Sequence, residues 1–397
     1  MNDLKGIVKK IVFMAEEKKV DGCSCYIATE YIDEVVYCNE SINYLKSYDC
    51  IKGWIKVFKN NKSFSAPIET LDINSISELL DMCIELIDDI ECTTDKLLNV
   101  KTRKFTIGKS NNTIENSIKR IQRFLIKKRV IFSDVIITDM IIRHVKERNC
   151  YYDSNDAFLC EDANYYIASL LYSGVDRGDM RAEQFALPDC NIDKYLYRTI
   201  DNYYKNKCGS IFNVDSITDV FIMPNVIKRM VVDLLSNINK IEKNGCSKKI
   251  SLMRKSRSNQ LCLGNCFSEL GEVNMDEYII KKGRVVNPKK RVSNDSVCIK
   301  RGPIKKKIII NKMNKGFIVD NLEDTFIDEK KKYNYIVNGY YYTEYNNYRH
   351  NSVRICIQCD IIELWNSVKS VSFECISDGY YVMPYILFEK IKICSVK

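Results

Sequence analysis

The hydrophobic period of the first ninety residues changes twice, and this pattern restricts the fold more than any other feature of the chain. Apolar residues recur at helical spacing over residues 4–15 and again over residues 76–90. The second helix is predicted to begin at Ser75, which has capping-box spacing with Glu78. Helix, antiparallel strands and helix in this order indicate an α+β unit. The strands between the helices are predicted at residues 24–29, 33–38, 42–48, 50–58 and 62–66, with a hairpin turn at 59–62.

The remainder of the chain is predicted to contain more strand than helix. A polar linker covers residues 91–110, and helices follow at 114–125, from Cys190 to about residue 206, and at 226–238. Strands are predicted at 135–145, 149–152, 165–172 and 220–224, with a turn at 153–156 and a stop at Pro224. Short strands run from residue 249 to a closing strand at 381–394, interrupted by a late helix at 361–371.

These elements predict an α+β protein of three regions. An N-terminal domain of helices and antiparallel sheet covers residues 1–110, and a middle region of helix and β-hairpin covers 111–210. A mostly-β C-terminal domain with a packed helix covers 211–397. The length of 397 residues is typical of two or three domains.

The positive charge is concentrated in one segment. Residues 281–312 contain twelve basic residues and one acid, Asp295, which gives +11 against a net charge of +9 for the whole chain. A polyanion or an acidic partner would therefore be attracted to this segment. It contains no aromatic residue on which a base could stack, so it favours a solvated face over a nucleic-acid site.

Compartment is indicated by the apolar runs and the cysteines. No uncharged apolar stretch approaches the roughly 18 residues of a membrane helix, and lysines interrupt the first apolar run where a signal peptide would need it intact. We therefore expect a cytoplasmic protein that does not enter a membrane. Eighteen scattered cysteines, mostly flanked by apolar residues, are then expected to be reduced and buried.

The two histidines exclude one kind of metal site. A catalytic zinc requires about three protein ligands, an open position for water and a nearby carboxylate. His144 and His350 lie 206 positions apart, and neither is followed by glutamate. No helix of this chain presents two imidazoles on one face, so we predict no catalytic, cofactor-binding or metal-binding residue. His144 is expected on a strand, exposed or half-buried, and His350 in a turn.

Two cysteine pairs are weaker candidates for metal or redox chemistry. Cys356 and Cys359 have CxxC spacing, but residues three apart in a strand point to opposite faces, and no second CxxC completes a four-cysteine site. Cys262 and Cys266 are spaced to share a helix face, again without a second pair. For both pairs, buried thiols are the simpler interpretation.

Several short phrases of the chain resemble, in order, those of the TldD/PmbA family of metalloproteases, and more closely its TldE (PmbA) branch. The best match is N-terminal, where a glycine-led strand begins at Gly53 and a helix follows a small-aromatic-small phrase around Phe64. Residues 246–275 and 292–314 do not match well. The matching phrases lie at residues 21–26, 52–58, 63–87, 150–156, 220–224, 277–283, 315–319, 337–340 and 383–388.

The resemblance implies a function. Catalytic members carry a His-Glu-x-x-x-His phrase, which is absent here as it is from the TldE branch. The chain would then be a non-catalytic subunit with no zinc of its own, paired in a heterodimer with a TldD-like subunit that holds the zinc. The pair would process unfolded peptides bound as an added strand. The alternatives are a stand-alone peptide- or polyanion-binding protein and, more remotely, a cysteine-dependent enzyme. Nucleic acid is not the expected partner.

Overall fold

The computed structural model describes residues 3–91, 97–108, 113–175, 180–205, 216–286, 296–343 and 353–396. The helices α1–α8 are Leu4–Glu17, Ile73–Leu86, Ile114–Ile131, Ile192–Lys205, Pro224–Ser236, Ile238–Asn244, Lys306–Asn311 and Ile361–Asn366. The strands β1–β17 are Gly22–Cys38, Ser41–Lys59, Lys62–Ile68, Arg103–Ile107, Val135–Asp153, Phe158–Gly174, Met180–Leu187, Ser216–Ile222, Leu252–Lys255, Glu277–Lys281, Arg284–Val285, Ser296–Ile299, Lys315–Ile327, Tyr333–Thr343, Val353–Cys359, Val368–Ser377 and Tyr381–Ser395. The α+β prediction is confirmed.

The first sheet is built from long hairpins. Within the described residues its order is β3-β2-β1-β5-β6-β4, and β7 pairs with the second half of β6. The β1–β2 and β2–β3 turns each have two residues of positive φ, Asn39-Glu40 and Asn60-Asn61, as two-residue hairpin loops require. The hairpin predicted at 59–62 and the turn at 153–156 are confirmed. The strands of region 111–210 thus continue the sheet begun in region 1–110.

Several predicted strand boundaries are wrong. The segments 24–29 and 33–38 form the single strand β1, 42–48 and 50–58 form β2, and 135–145 and 149–152 form β5. Backbone pairing continues through the polar residues that separated them, for example from Glu30 to Cys50, because a hydrogen-bond ladder does not depend on side-chain polarity. The predicted linker 91–110 also contains strand β4, which pairs in parallel with β6.

Helices cover one face of this sheet and a loop covers the other. Helices α1 and α2 pack on Cys23, Cys25 and Ile27 of β1, and α3 and α4 pack towards its far end, on Val35 and Tyr37. These are odd-numbered residues of one strand and therefore lie on one face. The opposite face, which includes Tyr26, Ile32, Tyr151 and Leu159, packs against residues 262–273.

The second sheet closes on itself. Strands β17, β15, β14, β13 and β8 pair in sequence, and β8 pairs back to β17, which forms a barrel of five strands in the described residues. The strands β12, β9, β10 and β11 extend the sheet from β17, and β16 pairs with β17 as well. Helix α5 lies against β13 and β17, with Val226, Ile227, Met230 and Val231 in the core.

Two predicted helix limits also differ. Helix α2 begins at Ile73 with Asp72 as its N-cap, because the Asp72 carboxylate accepts a hydrogen bond of 2.9 Å from the Ser75 amide. Ser75 is therefore inside the helix and is not its cap. The late helix ends at Asn366 and not at residue 371, because Val368 and Val371 belong to β16 and pair with β17. In the described residues, no helix is both long and apolar enough to cross a membrane.

Candidate functional site

A cleft of about 380 Å³ lies between the first sheet and the barrel. One wall is formed by β7 and α4, and the other by the first turn of α5 with β13, β16 and β17. Residues 181–185 of β7 all line it, without the alternation expected if one face of the strand bordered the cleft. The cleft therefore runs along the edge of this strand.

The backbone of β7 presents hydrogen-bonding groups to the cleft. Strand β7 pairs with β6 without a register shift, and within the described residues it pairs with no other strand. The Ala186 amide donates to the Asp378 carbonyl oxygen across the cleft at 2.9 Å, so it points away from β6. Because amide directions alternate along a strand, those of Ala182 and Gln184 point the same way. The exposed edge has the geometry needed to accept an extended chain as a further strand.

Glu183 is the acidic group of β7 that lines this cleft. Burial raises the pKa of its carboxyl above the ordinary value, and this effect outweighs the hydrogen bonds and positive charges that lower it. The Tyr172 and Thr199 hydroxyls each donate to this carboxylate at 3.3 Å. A carboxyl with a raised pKa in a cleft is a typical mark of a binding or catalytic site.

Two arginine side chains lie over aromatic rings on the cleft walls. The Arg181 guanidinium lies 4.8 Å from the centre of the Tyr203 ring, and that of Arg198 lies 5.6 Å from the centre of the Tyr195 ring. Lys228 of α5 forms an ion pair with Asp378. The walls thus offer charged groups of both signs and apolar surface, which suits a peptide of mixed composition.

A buried ionic cluster fixes the barrel part of the chain to the first sheet. Arg257 donates to the Glu161 carboxylate at 2.9 Å and to that of Glu147 at 2.7 Å, and it is 5% exposed. Its Nε donates to the Cys262 carbonyl oxygen at 2.7 Å. Burial raises the pKa of Glu147, but the charge of Arg257 and hydrogen bonds from Arg257, Asn149 and Tyr165 outweigh this effect and hold the pKa below its usual value.

The prediction that His144 lies on a strand is confirmed, and the prediction that it is exposed or half-buried is wrong. It lies on β5 between β1 and β6, is fully buried, and stacks on Tyr166 with the ring centres 4.7 Å apart. Its Nε2 lies 2.8 Å from Asn164 Oδ1, and its Nδ1 lies 3.6 Å from Asp33 Oδ2. Burial lowers its pKa and thereby favours the neutral imidazole. His144 lies away from the cleft, and His350 falls outside the described residues.

The two cysteine pairs are placed differently from each other. Cys356 and Cys359 lie on strand β15, as predicted, and Cys359 packs into the barrel core while the Cys356 thiol donates to Asn334 Oδ1 at 3.6 Å. Cys262 and Cys266 do not share a helix face: they lie in the irregular segment that covers the first sheet. Burial raises the pKa of Cys262 to about 12.

Cysteines in the described parts of the chain form no disulfide, and most are buried. The same parts contain no group of three or more His, Cys, Asp and Glu side chains that could hold a metal ion. With His144 buried in the sheet and its Nε2 in contact with Asn164 Oδ1, the described residues do not fit a histidine zinc site.

The basic side chains of the segment 281–312 are solvent-exposed wherever the structure describes them. Its nine described basic residues, Lys281, Lys282, Arg284, Lys300, Arg301, Lys305, Lys306, Lys307 and Lys312, are all exposed, whereas Lys289, Lys290 and Arg291 lie outside the described residues. The fold supplies aromatic rings that the segment lacks. The Arg301 guanidinium lies 5.9 Å from the Phe373 ring centre, and Lys306 Nζ lies 4.8 Å from that of Tyr385.

Comparison with solved structures identifies the fold. The structure of TldE from Thermococcus kodakarensis matches 98% of this chain and 100% of its own, with a TM-score of 0.77 at 13% identity. A proposed modulator of DNA gyrase from Bacteroides thetaiotaomicron matches all of both chains, with a TM-score of 0.76 at 11% identity. Another such proposed modulator, from Thermotoga maritima, matches 98% of this chain and 100% of its own, with a TM-score of 0.77 at 10% identity.

No family model and no curated protein sequence matches the chain. The likeness to the three solved structures is therefore one of fold, and over nearly its whole length this chain has a TldD/PmbA-like fold.

Proposed function

We propose that this chain is a non-catalytic, TldE-like subunit of a TldD/TldE-type zinc metalloprotease that processes unfolded peptides. The observation that carries the proposal is the near full-length likeness in fold to TldE, in a chain whose two histidines cannot form a His-Glu-x-x-x-His site. The zinc would be held by a TldD-like partner in a heterodimer. This chain would contribute peptide-binding surface and would not hydrolyse peptides by itself.

Strand β7 would be the peptide-binding element of the proposed subunit. An unfolded segment satisfies its own amides and carbonyls by pairing with a strand edge, whereas a folded protein has already paired them. The cleft beside β7 would therefore select unfolded segments over folded ones. The charged and aromatic walls would contact alternate side chains without demanding one sequence.

The proposed location is the cytoplasm. The cysteines of the described residues form no disulfide, and Cys150 and Cys160 lie close enough to each other to pair in an oxidising compartment. A reducing compartment keeps such thiols in the reduced form.

Co-purification tests the heterodimer. The chain is co-expressed, with an affinity tag, beside a protein from the same genome that carries the His-Glu-x-x-x-His phrase, and the complex is weighed by native mass spectrometry. We expect a stable complex containing both chains, with zinc assigned to the partner. Recovery of the tagged chain alone, under conditions in which the partner is soluble, contradicts the proposal.

A polyanion-binding protein is the second candidate, and the exposed basic segment favours it. Lys305, Lys306 and Lys307 lie together at the start of α7, near Arg301 and the 53%-exposed ring of Phe373. Cations beside an exposed ring are the combination that single-stranded nucleic acids bind.

Substitution of the lysines decides this candidate. If the segment binds polyanions, Lys305→Ala, Lys306→Ala and Lys307→Ala together reduce affinity for a fluorescent heparin or oligonucleotide probe and lower the salt dependence by about three charges. The matched control replaces Lys19, Lys52 and Lys240, which lie outside the segment, with alanine. Equal binding by both triple variants rules out a site at α7.

A further inference from the structure

Two cysteines face each other across the centre of the first sheet. Cys150 of β5 and Cys160 of β6 are direct partners in the antiparallel register. Their sulfur atoms lie 3.5 Å apart, with the Cys150 thiol donating to Cys160 Sγ. Directly opposed residues of antiparallel strands have Cα atoms roughly 4.5–5.5 Å apart, which falls within the range of about 4.4–6.8 Å that a disulfide spans. The pair can therefore close with little backbone movement.

A small pocket opens onto this pair from the surface. It has a volume of about 220 Å³, and both cysteines line it together with three cations, Lys5, Lys104 and Arg148, and two acids, Asp3 and Asp162, of which Asp162 pairs with Arg148. Cys160 is 5% exposed and Cys150 is 1% exposed, so a molecule in the pocket meets Cys160 first. Cys25 and Cys83 belong to the same apolar cluster as this pair, but they are fully buried and do not line the pocket.

The surroundings of the two sulfur atoms favour a thiolate at Cys160. The hydrogen bond from Cys150 lowers the pKa of Cys160; burial and Asp162 act against it, and Arg148 and Lys104 lower it further. The same hydrogen bond and burial raise the pKa of Cys150. One sulfur is thus prepared as the nucleophile while its neighbour remains protonated until the nucleophile has reacted.

We propose that Cys150 and Cys160 form an oxidisable dithiol that reduces hydrogen peroxide through the pocket and closes into a cross-strand disulfide. The Cys160 thiolate attacks one peroxide oxygen, the O–O bond breaks, and hydroxide leaves and takes a proton to become water. Cys160 is then a sulfenic acid. The Cys150 sulfur attacks Cys160 Sγ, the S–O bond breaks, and the Cys150 proton leaves with hydroxide as a second water. Two thiols and one peroxide give one disulfide and two waters.

The disulfide has a defined structural effect. It joins β5 to β6 covalently beneath the first turn of α1, where Lys5 lies over the Phe158 ring at 5.2 Å. The loop that it closes is the short hairpin between the two strands, which the reduced chain already holds by its backbone ladder. Oxidation therefore alters the pocket and leaves the fold in place.

Cys356 and Cys394 provide an internal comparison. They are also direct partners, on β15 and β17, but the Cys356 thiol donates to Asn334 Oδ1. Burial raises the pKa of Cys356 to about 11. Both pairs have two cysteines opposed in the strand register, and the first pair differs in that both of its cysteines line a pocket with Lys5, Lys104 and Arg148.

Peptide mapping tests the proposal on the whole chain. The reduced protein is exposed to hydrogen peroxide, unfolded in an alkylating agent and digested with trypsin, which releases residues 149–177 as one peptide with these two cysteines and no others. We expect this peptide to lose two hydrogens and carry no alkyl group, at a rate at least on the order of tenfold above the loss of thiol at Cys356 and Cys394. Cys38 is an exposed thiol and serves as the reference. If Cys38 is oxidised while the peptide still carries two alkyl groups, the proposal is overturned.

Variants separate the roles of the two sulfurs. Cys150→Ser is expected to stop at a sulfenic acid on Cys160 that dimedone captures, and Cys160→Ser to leave Cys150 reduced. Arg148→Gln keeps both thiols, removes a cation that favours the Cys160 thiolate and leaves the Asp162 charge without this partner, so it should slow closure on the order of tenfold. Lys52→Gln, on an exposed side chain of the same sheet, is the control and should not change the rate. Equal rates in Arg148→Gln and Lys52→Gln would exclude the cationic pocket as the activating feature.

Discussion

Arg257 joins the two parts of the molecule through one charged side chain. Its side chain reaches from the segment after β9 to two carboxylates on β5 and β6, and both partners are nearly inaccessible to solvent. An ion pair removed from water stabilises a protein only when every partner is present, because a lone buried charge is costly. The cluster therefore makes docking of the barrel part depend on one guanidinium.

Replacing Arg257 with methionine should lower the free energy of unfolding by about 3–5 kcal/mol, as expected when a buried charge loses its partner. Urea unfolding followed by circular dichroism measures this loss. The loss should be largest near pH 7 and should shrink as the pH falls towards about 4 and below. The lowered pKa of Glu147 gives stability that is present above its unfolded pKa and is lost as the carboxylate is protonated, after which the arginine is no longer needed.

Arg354→Met is the matched control for this prediction. Arg354 also donates to a carboxylate, that of Glu323 at 2.6 Å, but its side chain is 53% exposed. An exposed pair of this kind contributes about 0–1 kcal/mol. Equal losses in the two variants, or a loss in Arg257→Met that does not change with pH, would show that the cluster does not carry the docking.

Sequence reasoning located His144 on a strand but not inside the core. The neighbouring Arg143 suggested a polar part of the strand, and the residue that compensates for burial, Asn164, lies on the next strand. The free-energy cost of burying an imidazole is offset by a hydrogen-bond partner, and only the strand register identifies that partner. The same reason explains why Arg257, Glu147 and Glu161, distant in the sequence, could not be recognised as a cluster.

At the scale of elements, helices were predicted better than strands. The apolar stripes of α1, α3 and α5 repeat over several turns, so their positions followed from the sequence. Strands were divided wherever polar residues interrupted the alternation, although pairing continued through them. Strand β7 was not predicted, because its first five residues are only partly buried or exposed and only Phe185, Ala186 and Leu187 are buried.

The edge of β7 leads to a prediction about peptide binding. Gln184→Pro removes an amide that points into the cleft and leaves the bonds to β6 intact, since proline is tolerated at an edge whose N–H faces outward. We expect the affinity for an unfolded fluorescent peptide, measured by anisotropy on the assembled complex, to fall by about 1 kcal/mol, roughly fivefold in Kd.

Gln184→Ala separates the backbone from the side chain. It removes the same exposed side chain and keeps the amide, so peptide affinity should stay near that of the unaltered protein. If the alanine and proline variants bind equally well, the amide of Gln184 does not pair with peptide, and strand addition at β7 is wrong.

At the scale of the whole molecule, the order of elements was predictable and the cleft was not. The ordered phrases of the sequence resemble the TldD/PmbA family, and the solved structures match the fold over 98–100% of the chain. The cleft, however, combines residues near positions 183, 228, 320 and 378. Such a combination arises only when the barrel docks on the first sheet, and no local sequence pattern predicts it.

This chain is proposed to support peptide hydrolysis by a partner subunit that holds the zinc. A subunit that shapes a peptide cleft without zinc ligands is expected to have no hydrolytic activity alone and to support activity in a complex. The prediction therefore depends on assembly and not on any residue of this chain acting on the peptide bond.

The most direct measurement compares zinc content and peptidase activity for the chain alone, the TldD-like partner alone and the two combined. Zinc is determined by elemental mass spectrometry, and activity is measured on an unfolded, fluorescently quenched peptide. We predict that the chain alone has neither zinc nor activity, and that the combined proteins cleave the peptide faster than the partner alone. Stoichiometric zinc together with peptidase activity in the chain alone would contradict the account.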